Sequence, residues 1–230
     1  MFTLDTVVPW GRSFDEYQRM FALSEGNLQR KILGCGDGPA SFNAEATRRG
    51  SHVVSCDPMY LFGTSDIRGR IAETSEEVIE QTRRNAGEFV WTSIRSVEEL
   101  RQRRMAAMET FLDDYDEGKA AGRYVDGSLP VLAFADNAFD LALCSHLLFL
   151  YTAQLSEEFH RSAVRELCRV ANDVRIFPLL ALGGQRSPYV DAVIADSRSA
   201  GHDVVIETVL YEFQRGGNQM MRIRVKRRDQ

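Results

Sequence analysis

Short apolar runs bounded by Gly, Pro, Asp or Ser alternate along the chain with longer segments whose apolar residues recur at helical spacing. Phe14, Tyr17, Met20 and Phe21 mark an amphipathic helix after the turn Pro9-Trp10-Gly11, and Ser13 with Glu16 supplies a capping box at its start. Lys31-Ile32-Leu33 reads as a strand running into Gly34-Cys35-Gly36-Asp37-Gly38. Pro39 suits the first turn of a helix over 40–49 that Gly50 ends. A second strand, His52–Cys56, closes on Asp57-Pro58.

The next clear strand, 123–126, comes only after a long helical stretch over 61–122. Thr74 with Glu77 and Ser96 with Glu99 resemble further capping boxes, and Leu100, Met108, Leu112 and Tyr115 form an apolar stripe. A crossover needs only about a dozen residues, so this stretch is an enlarged helical insertion. No Pro/Gly/Ser-rich linker bounds it, which predicts one domain over 1–230 with residues 1–29 as an N-terminal helix or lid. Strands at 140–145 and 174–177, with helices from Ser156 to about 170 and from Ser187-Pro188 to about 200, resume the alternation. Two last strands, 204–213 and 220–225, flank a hairpin loop. The order predicts an α/β fold with a mostly parallel sheet.

A chain of 230 residues with 44% hydrophobic and 27% charged positions is globular, and its net charge of −5 disfavours a dedicated nucleic-acid binder. The insertion holds 9 basic and 13 acidic residues, whereas 204–230 holds 6 and 3. A phosphate-rich partner would therefore approach by the C-terminal hairpin, where Arg222 to Arg228 lie, or by Arg101, Arg103 and Arg104. Alternation in Arg222-Ile223-Arg224-Val225 favours a half-polar strand instead. Cys35, Cys56, Cys144 and Cys168 lack zinc-ligand spacing and fall in or beside apolar runs, as expected of a reduced, cytoplasmic protein. The start has no signal-peptide pattern and no window is long enough to span a bilayer. Asp113, Asp114, Asp116 and Glu117 read as a solvated helix face, so no metal site is expected.

Gly34, Gly36 and Gly38 follow a strand and open a helix, which permits close backbone approach by a ligand. Asp57 ends the next strand, where an acid can accept from both hydroxyls of a ribose. An adenosine-type ligand follows, either a nicotinamide cofactor or S-adenosylmethionine. The run Ser128-Leu129-Pro130 through Phe134-Ala135-Asp136-Asn137-Ala138-Phe139-Asp140 into an apolar strand resembles the class I S-adenosylmethionine-dependent methyltransferases. With the glycine loop, Asp57 and the closing hairpin, the resemblance covers about Arg30 to Arg224.

That resemblance implies a Rossmann-like seven-stranded sheet, its last strand antiparallel, and S-adenosylmethionine as cofactor. Gly34, Cys35, Gly36 and Gly38 would face the methionine part and Asp57 the ribose. Pro58-Met59 and Ser128-Leu129 would flank the adenine; many members carry Asp where Ser128 stands. Ser145 and His146 would lie beside the sulfonium and acceptor, with His146 the candidate general base. Outside the resemblance, two readings stand for Trp10, Arg12, Phe14 and Tyr17: a lid in which Arg12 pairs the cofactor carboxylate, or an N-terminal helix packed on the sheet edge. Tyr60 and Tyr151 are further pocket candidates, and Phe177-Pro178-Leu179-Leu180 an apolar acceptor wall. A small-molecule methyl acceptor is expected. Without an Asn/Asp-Pro-Pro-Tyr/Phe run after the fourth strand, DNA is disfavoured, while RNA and protein acceptors stay open. Two alternatives stand beside this reading: a noncatalytic S-adenosylmethionine-binding module acting on a partner protein, and an NAD(P)-dependent reductase.

Overall fold

The structure, a computed structural model, describes residues 8–226. Its chain order is α1 (Phe14–Met20), α2 (Glu25–Leu28), β1 (Lys31–Cys35), α3 (Phe42–Arg48), β2 (His52–Cys56), α4 (Thr64–Arg84), α5 (Val97–Ala120) and β3 (Tyr124–Val125). There follow β4 (Phe139–Ser145), α6 (Glu157–Val170), β5 (Ala171–Phe177), α7 (Val190–Ser199), β6 (Asp203–Thr208) and β7 (Gln219–Arg224). The seven strands form one sheet in the order β3-β2-β1-β4-β5-β7-β6. All neighbours are parallel except β7, which is antiparallel to both β5 and β6. This is the expected doubly wound architecture with its antiparallel last strand.

Burial on both faces makes the central strands almost continuously apolar. On one face Ile32, Val53, Leu141 and Leu143 meet Phe14 and Tyr17 of α1 and Phe42 of α3. Tyr17 and Phe42 stack with ring centroids 4.5 Å apart, which fixes α1 directly over the end of β1. On the other face Leu33, Ala142 and Val174 pack against Val164 and Leu167 of α6 and Val193 of α7. In the central strands, Cys35 aligns with Cys56 and Cys144, so β1, β2 and β4 end at one level. Burial, chiefly, pushes the Cys144 and Cys56 thiols up to about 12, in keeping with their role as small apolar groups.

The 61–122 insertion is a helical hairpin of α4 and α5. Ile67 and Ile71 pack with Phe111, Tyr115, Tyr60 and Tyr124 in a separate aromatic cluster beside the sheet edge. Two sequence expectations change here. Thr74 does not start a helix; it lies inside α4, where its hydroxyl donates to the Arg70 carbonyl at 2.8 Å. The helix instead begins after Gly63 and runs unbroken through Thr74 to Arg84. Ser96 does cap α5, accepting from Glu99 N, but Glu99 turns to Arg95 N and leaves the box half closed. The strand expected over 204–213 ends at Thr208. Beyond it Phe213 stacks on Phe89 at 4.9 Å and Tyr211 turns inward to Glu16, so the segment leaves the sheet and folds over its end. Among the described residues no helix is long and apolar enough to cross a membrane.

Candidate functional site

At the end of β1 the chain reverses through Gly36 and Gly38, with φ of +68° and +55°. A Cβ on Gly36 would lie 2.6 Å from Leu147 Cδ2 as well as strain the backbone. Gly34 has a different reason for lacking a side chain: its Cβ would fall 1.8 Å from Asp37 Oδ2. The Asp37 side chain folds back into that space. It accepts from the Tyr17 hydroxyl at 2.9 Å and from Ser55 Oγ at 2.6 Å. Burial raises the Asp37 carboxyl to about 6, against the pull of those two donors.

Asp57, at the end of β2, ties the loop to the next turn. Its two oxygens accept from Gly38 N and Met59 N, each at 2.9 Å. Burial raises its pKa while those N–H groups oppose the rise. Tyr60 donates to the Gly38 carbonyl at 2.7 Å and so buttresses the loop from behind. At the end of β4, His146 adopts a left-handed backbone, φ +55°, and donates its N–H to the Phe177 carbonyl at 2.7 Å. Its Nδ1 is 2.9 Å from Ser145 Oγ. Burial, then the nearby Arg12 and Arg104, hold the imidazole well below its usual range, so the ring is neutral at neutral pH.

A charged group lies behind this strand end. Glu16 accepts from Arg104 Nη1, from Ser13 N at 3.0 Å and from the Tyr211 hydroxyl at 2.9 Å. Burial would raise Glu16, but the Arg104 guanidinium overrides it and holds the carboxyl at about 2. Arg12 donates through Nη1 to the Trp10 carbonyl at 3.0 Å, while its buried Nε has no partner among the described residues. Burial and the neighbouring Arg104 lower the Arg12 pKa. Two guanidiniums thus face one carboxylate, leaving a surplus positive charge.

These parts surround one cavity of about 940 Å³. It gathers Arg12, Cys35, Gly36, Gly38, Asp57, Pro58, Met59, Ser128, Leu129, Ser145 and His146, which is every expected site residue except Gly34. Trp10, Tyr17 and Tyr151 also line it, as do Phe177 and Pro178, whereas Phe14 is buried in the core and forms no lid; Tyr60, expected in the pocket, packs behind the glycine loop, and Leu179 and Leu180 lie outside the lining. One face of α4, from Ser65 to Thr82, closes the far side. Arg101 and Arg103 pair on the surface with Glu76 and Glu99. Arg104 alone of that group reaches the cavity, although it is almost fully buried. Arg222 pairs with Asp173, and Arg227 and Arg228 lie outside the described residues. Sequence reading missed Asp37, Glu16 and Tyr211. Asp37 had a signal, an acid three residues after a glycine whose Cβ it displaces. Glu16 and Arg104 are 88 residues apart and share no pattern that could pair them.

No family model matches the chain. The uncharacterized protein MJ0045 of Methanocaldococcus jannaschii is 33% identical over 221 residues, covering 96% of each chain. The chain belongs to the family of that archaeal protein. The match to MJ0045 spans the helical insertion as well as the sheet. Among solved structures, magnesium protoporphyrin IX methyltransferase (ChlM) from Synechocystis PCC 6803 with bound SAH is 13% identical, with TM-score 0.47 over 88% of this chain and 77% of that one. A SAM-dependent methyltransferase from Thermotoga maritima, described as a possible histamine N-methyltransferase, is 12% identical with TM-score 0.44, covering 93% and 90%.

Proposed function

We propose that this chain is an S-adenosylmethionine-dependent methyltransferase acting on a small-molecule acceptor. The observation that carries the reading is the convergence of the left-handed glycine turn, Asp57 and the Ser145-His146 pair on one cavity of about 940 Å³. It opens at the carboxyl ends of β1, β2 and β4, where open α/β sheets take their ligands. Small-molecule pockets run to roughly 300–1,000 Å³, so this one has room for a cofactor and a small acceptor together.

The residues present fit such a cofactor. Arg12 offers an unpartnered buried N–H and surplus positive charge to a carboxylate. Cys35, Gly36 and Gly38 form the cradle for the methionine part, while the side-chain space of Gly34 is taken by the Asp37 carboxylate. The Asp57 carboxylate, fixed by two backbone N–H groups, faces the ribose with its remaining lone pairs. Pro58-Met59 and Ser128-Leu129 form the two sides of the adenine slot. When bound, the cofactor supplies a methyl group activated on a sulfonium. The chain's own task is to align the acceptor and exclude water, so proximity carries most of the rate. Beyond His146 the cavity is walled by Trp10, Leu150, Tyr151, Leu182 and Phe213, which favours a partly apolar acceptor of small size.

The nicotinamide alternative fits less well. Its sheet is parallel throughout in the order 3-2-1-4-5-6, and the antiparallel β7 between β5 and β6 departs from that. Mass spectrometry of the purified native protein should detect carried-over S-adenosylmethionine or S-adenosylhomocysteine. A screen of small carboxylates, phenols and amines with methyl-labelled cofactor then tests turnover. Cofactor retention without transfer to any acceptor supports the noncatalytic module instead.

A further inference from the structure

Beyond Thr208 the chain leaves the sheet, and before it returns as β7 it is fastened to the linker between α4 and α5. Val90 N donates to the Phe213 carbonyl at 2.7 Å, and Arg215 N to the Glu88 carbonyl at 2.9 Å. The Arg215 side chain adds bonds to the Gly87 and Phe89 carbonyls at 3.3 and 3.2 Å. Phe213 stacks on Phe89 with ring centroids 4.9 Å apart, and Trp91 meets Phe213 edge-on at 5.4 Å. A tight turn follows, closed by Gly217 N donating to the Gln214 carbonyl at 2.8 Å. A Cβ on Gly217 would lie 2.9 Å from that same oxygen, so the turn requires glycine there. Arg215 and Phe89 are 126 residues apart in sequence, yet their two segments form one clasp.

The clasp walls one part of the cavity. Phe89, Phe213 and Gln214 line it, beside Trp10, Tyr151 and Tyr211. Trp10 packs on the same apolar cluster as Phe213 and also on the cluster of Val78, Leu150 and Tyr151, so it spans the space between them. Trp10 and Phe213 are only half-buried, which leaves part of each ring uncovered. A line of rings joins this wall to the end of β4. His146 meets Phe177 edge-on with centroids 5.4 Å apart, and Phe177 meets Tyr211 in the same way at 5.7 Å.

We propose that the methyl acceptor is a small, flat aromatic molecule whose ring lodges between Trp10 and the clasp, with its reacting atom toward His146. The inference rests on the methyltransferase reading and adds the class of acceptor and the residues that select it. Aromatic walls favour a ring over a saturated body of the same size, because the positive edge of one ring meets the negative face of another. Each such contact is worth roughly 2–12-fold in affinity. A saturated ring buries similar apolar area and gains none of this. The preference also needs walls that stay in place, and the clasp supplies them. Phe213 is held by its own carbonyl, by the stack on Phe89 and by the tight turn that follows it. Trp10 and Phe213 are thus the specificity-determining residues.

The probes are phenol and 4-ethylphenol, set against cyclohexanol and 4-ethylcyclohexanol, which match them in size and lack the flat ring. Titration calorimetry of the full chain saturated with S-adenosylhomocysteine should show each arene binding at least about fivefold tighter than its saturated partner. Phe213→Leu and Trp10→Leu keep apolar bulk and remove one ring each, so each should bring that ratio down to about twofold or less. Titration of both variants with S-adenosylhomocysteine reports whether the cofactor end is intact. Equal binding of arene and saturated partner by the parent protein, binding of neither, or a ratio that persists in both variants overturns the ring subsite. Cofactor-product binding without a ring preference sinks this inference alone. A ring preference in a protein that does not bind S-adenosylhomocysteine sinks the cofactor reading and the acceptor assignment with it.

Discussion

Asp37→Asn tests the electrostatics of the site through stability. The Asp37 carboxyl is 8% exposed and burial raises it from 3.8 to about 6. A difference of this size corresponds to about 3 kcal/mol opposing folding once the group is ionised in both states. Because the folded pKa is the higher one, the folded protein binds the extra proton between those values. Its stability from this group therefore grows as pH falls from 7 toward 4 and is lost as pH rises through 6. Asparagine removes the charge and keeps an oxygen for Tyr17. Its amide must meet Ser55 Oγ, which already accepts from Asn43 at 3.1 Å, so roughly 1 kcal/mol is given back. The variant should be more stable than the parent by about 2 kcal/mol at pH 8. That advantage should shrink by about 1.5 kcal/mol at pH 5, where the parent's acid is mostly protonated. Urea unfolding at both pH values reads the difference, and other titrating groups cancel between the two proteins. A variant that is less stable by the same amount at both pH values would refute the account of a strained buried acid.

Two further substitutions probe the cradle and the buried charges. Gly36→Ala should cost about 1–2 kcal/mol for its left-handed backbone plus the displacement of Leu147, whereas Gly50→Ala, at φ +85° with open space around it, should pay the backbone cost alone; thermal unfolding of the two variants side by side checks the gap. Glu16→Gln leaves Arg12 and Arg104 buried without their shared counter-charge and should destabilise by about 3–5 kcal/mol. Arg104→Met should cost less, because Glu16 keeps Ser13 N and the Tyr211 hydroxyl; equal losses in urea would show that the surplus charge has no energetic weight.

The sheet was legible because its signals are local. β1, β2 and β4 are apolar runs that end at glycine, acid or serine, and their ends carry the chemistry. The glycine loop, Asp57 and Ser145-His146 could therefore be placed at one end of a parallel sheet before any contact was known. What escaped is non-local or ambiguous within a short window. Thr74-Ser75-Glu76-Glu77 has the composition of a helix start, but Thr74 is satisfied by a carbonyl of the preceding turn and the helix runs through it. The segment after Thr208 alternates like a strand, yet its aromatic residues are held by Phe89, Trp91 and Glu16 and leave the ladder. Glu16 was visible as a cap, and that local role concealed its pairing with Arg104. Asp37 was hidden in plain view among glycines read as ligand-facing, one of which exists to admit its carboxylate.

On the proposed function, the cavity holds S-adenosylmethionine through Asp57 and the glycine turn. Titration calorimetry of the full chain with S-adenosylhomocysteine, with NADH and NADPH as comparators, tests it most directly. S-adenosylhomocysteine should bind and the nicotinamide nucleotides should not. Its affinity should be at least tenfold weaker in Asp57→Ala, since one lost hydrogen bond to a charged group is worth about 1.5–3 kcal/mol. Binding of a nicotinamide nucleotide alone, or S-adenosylhomocysteine affinity unchanged by Asp57→Ala, would contradict it.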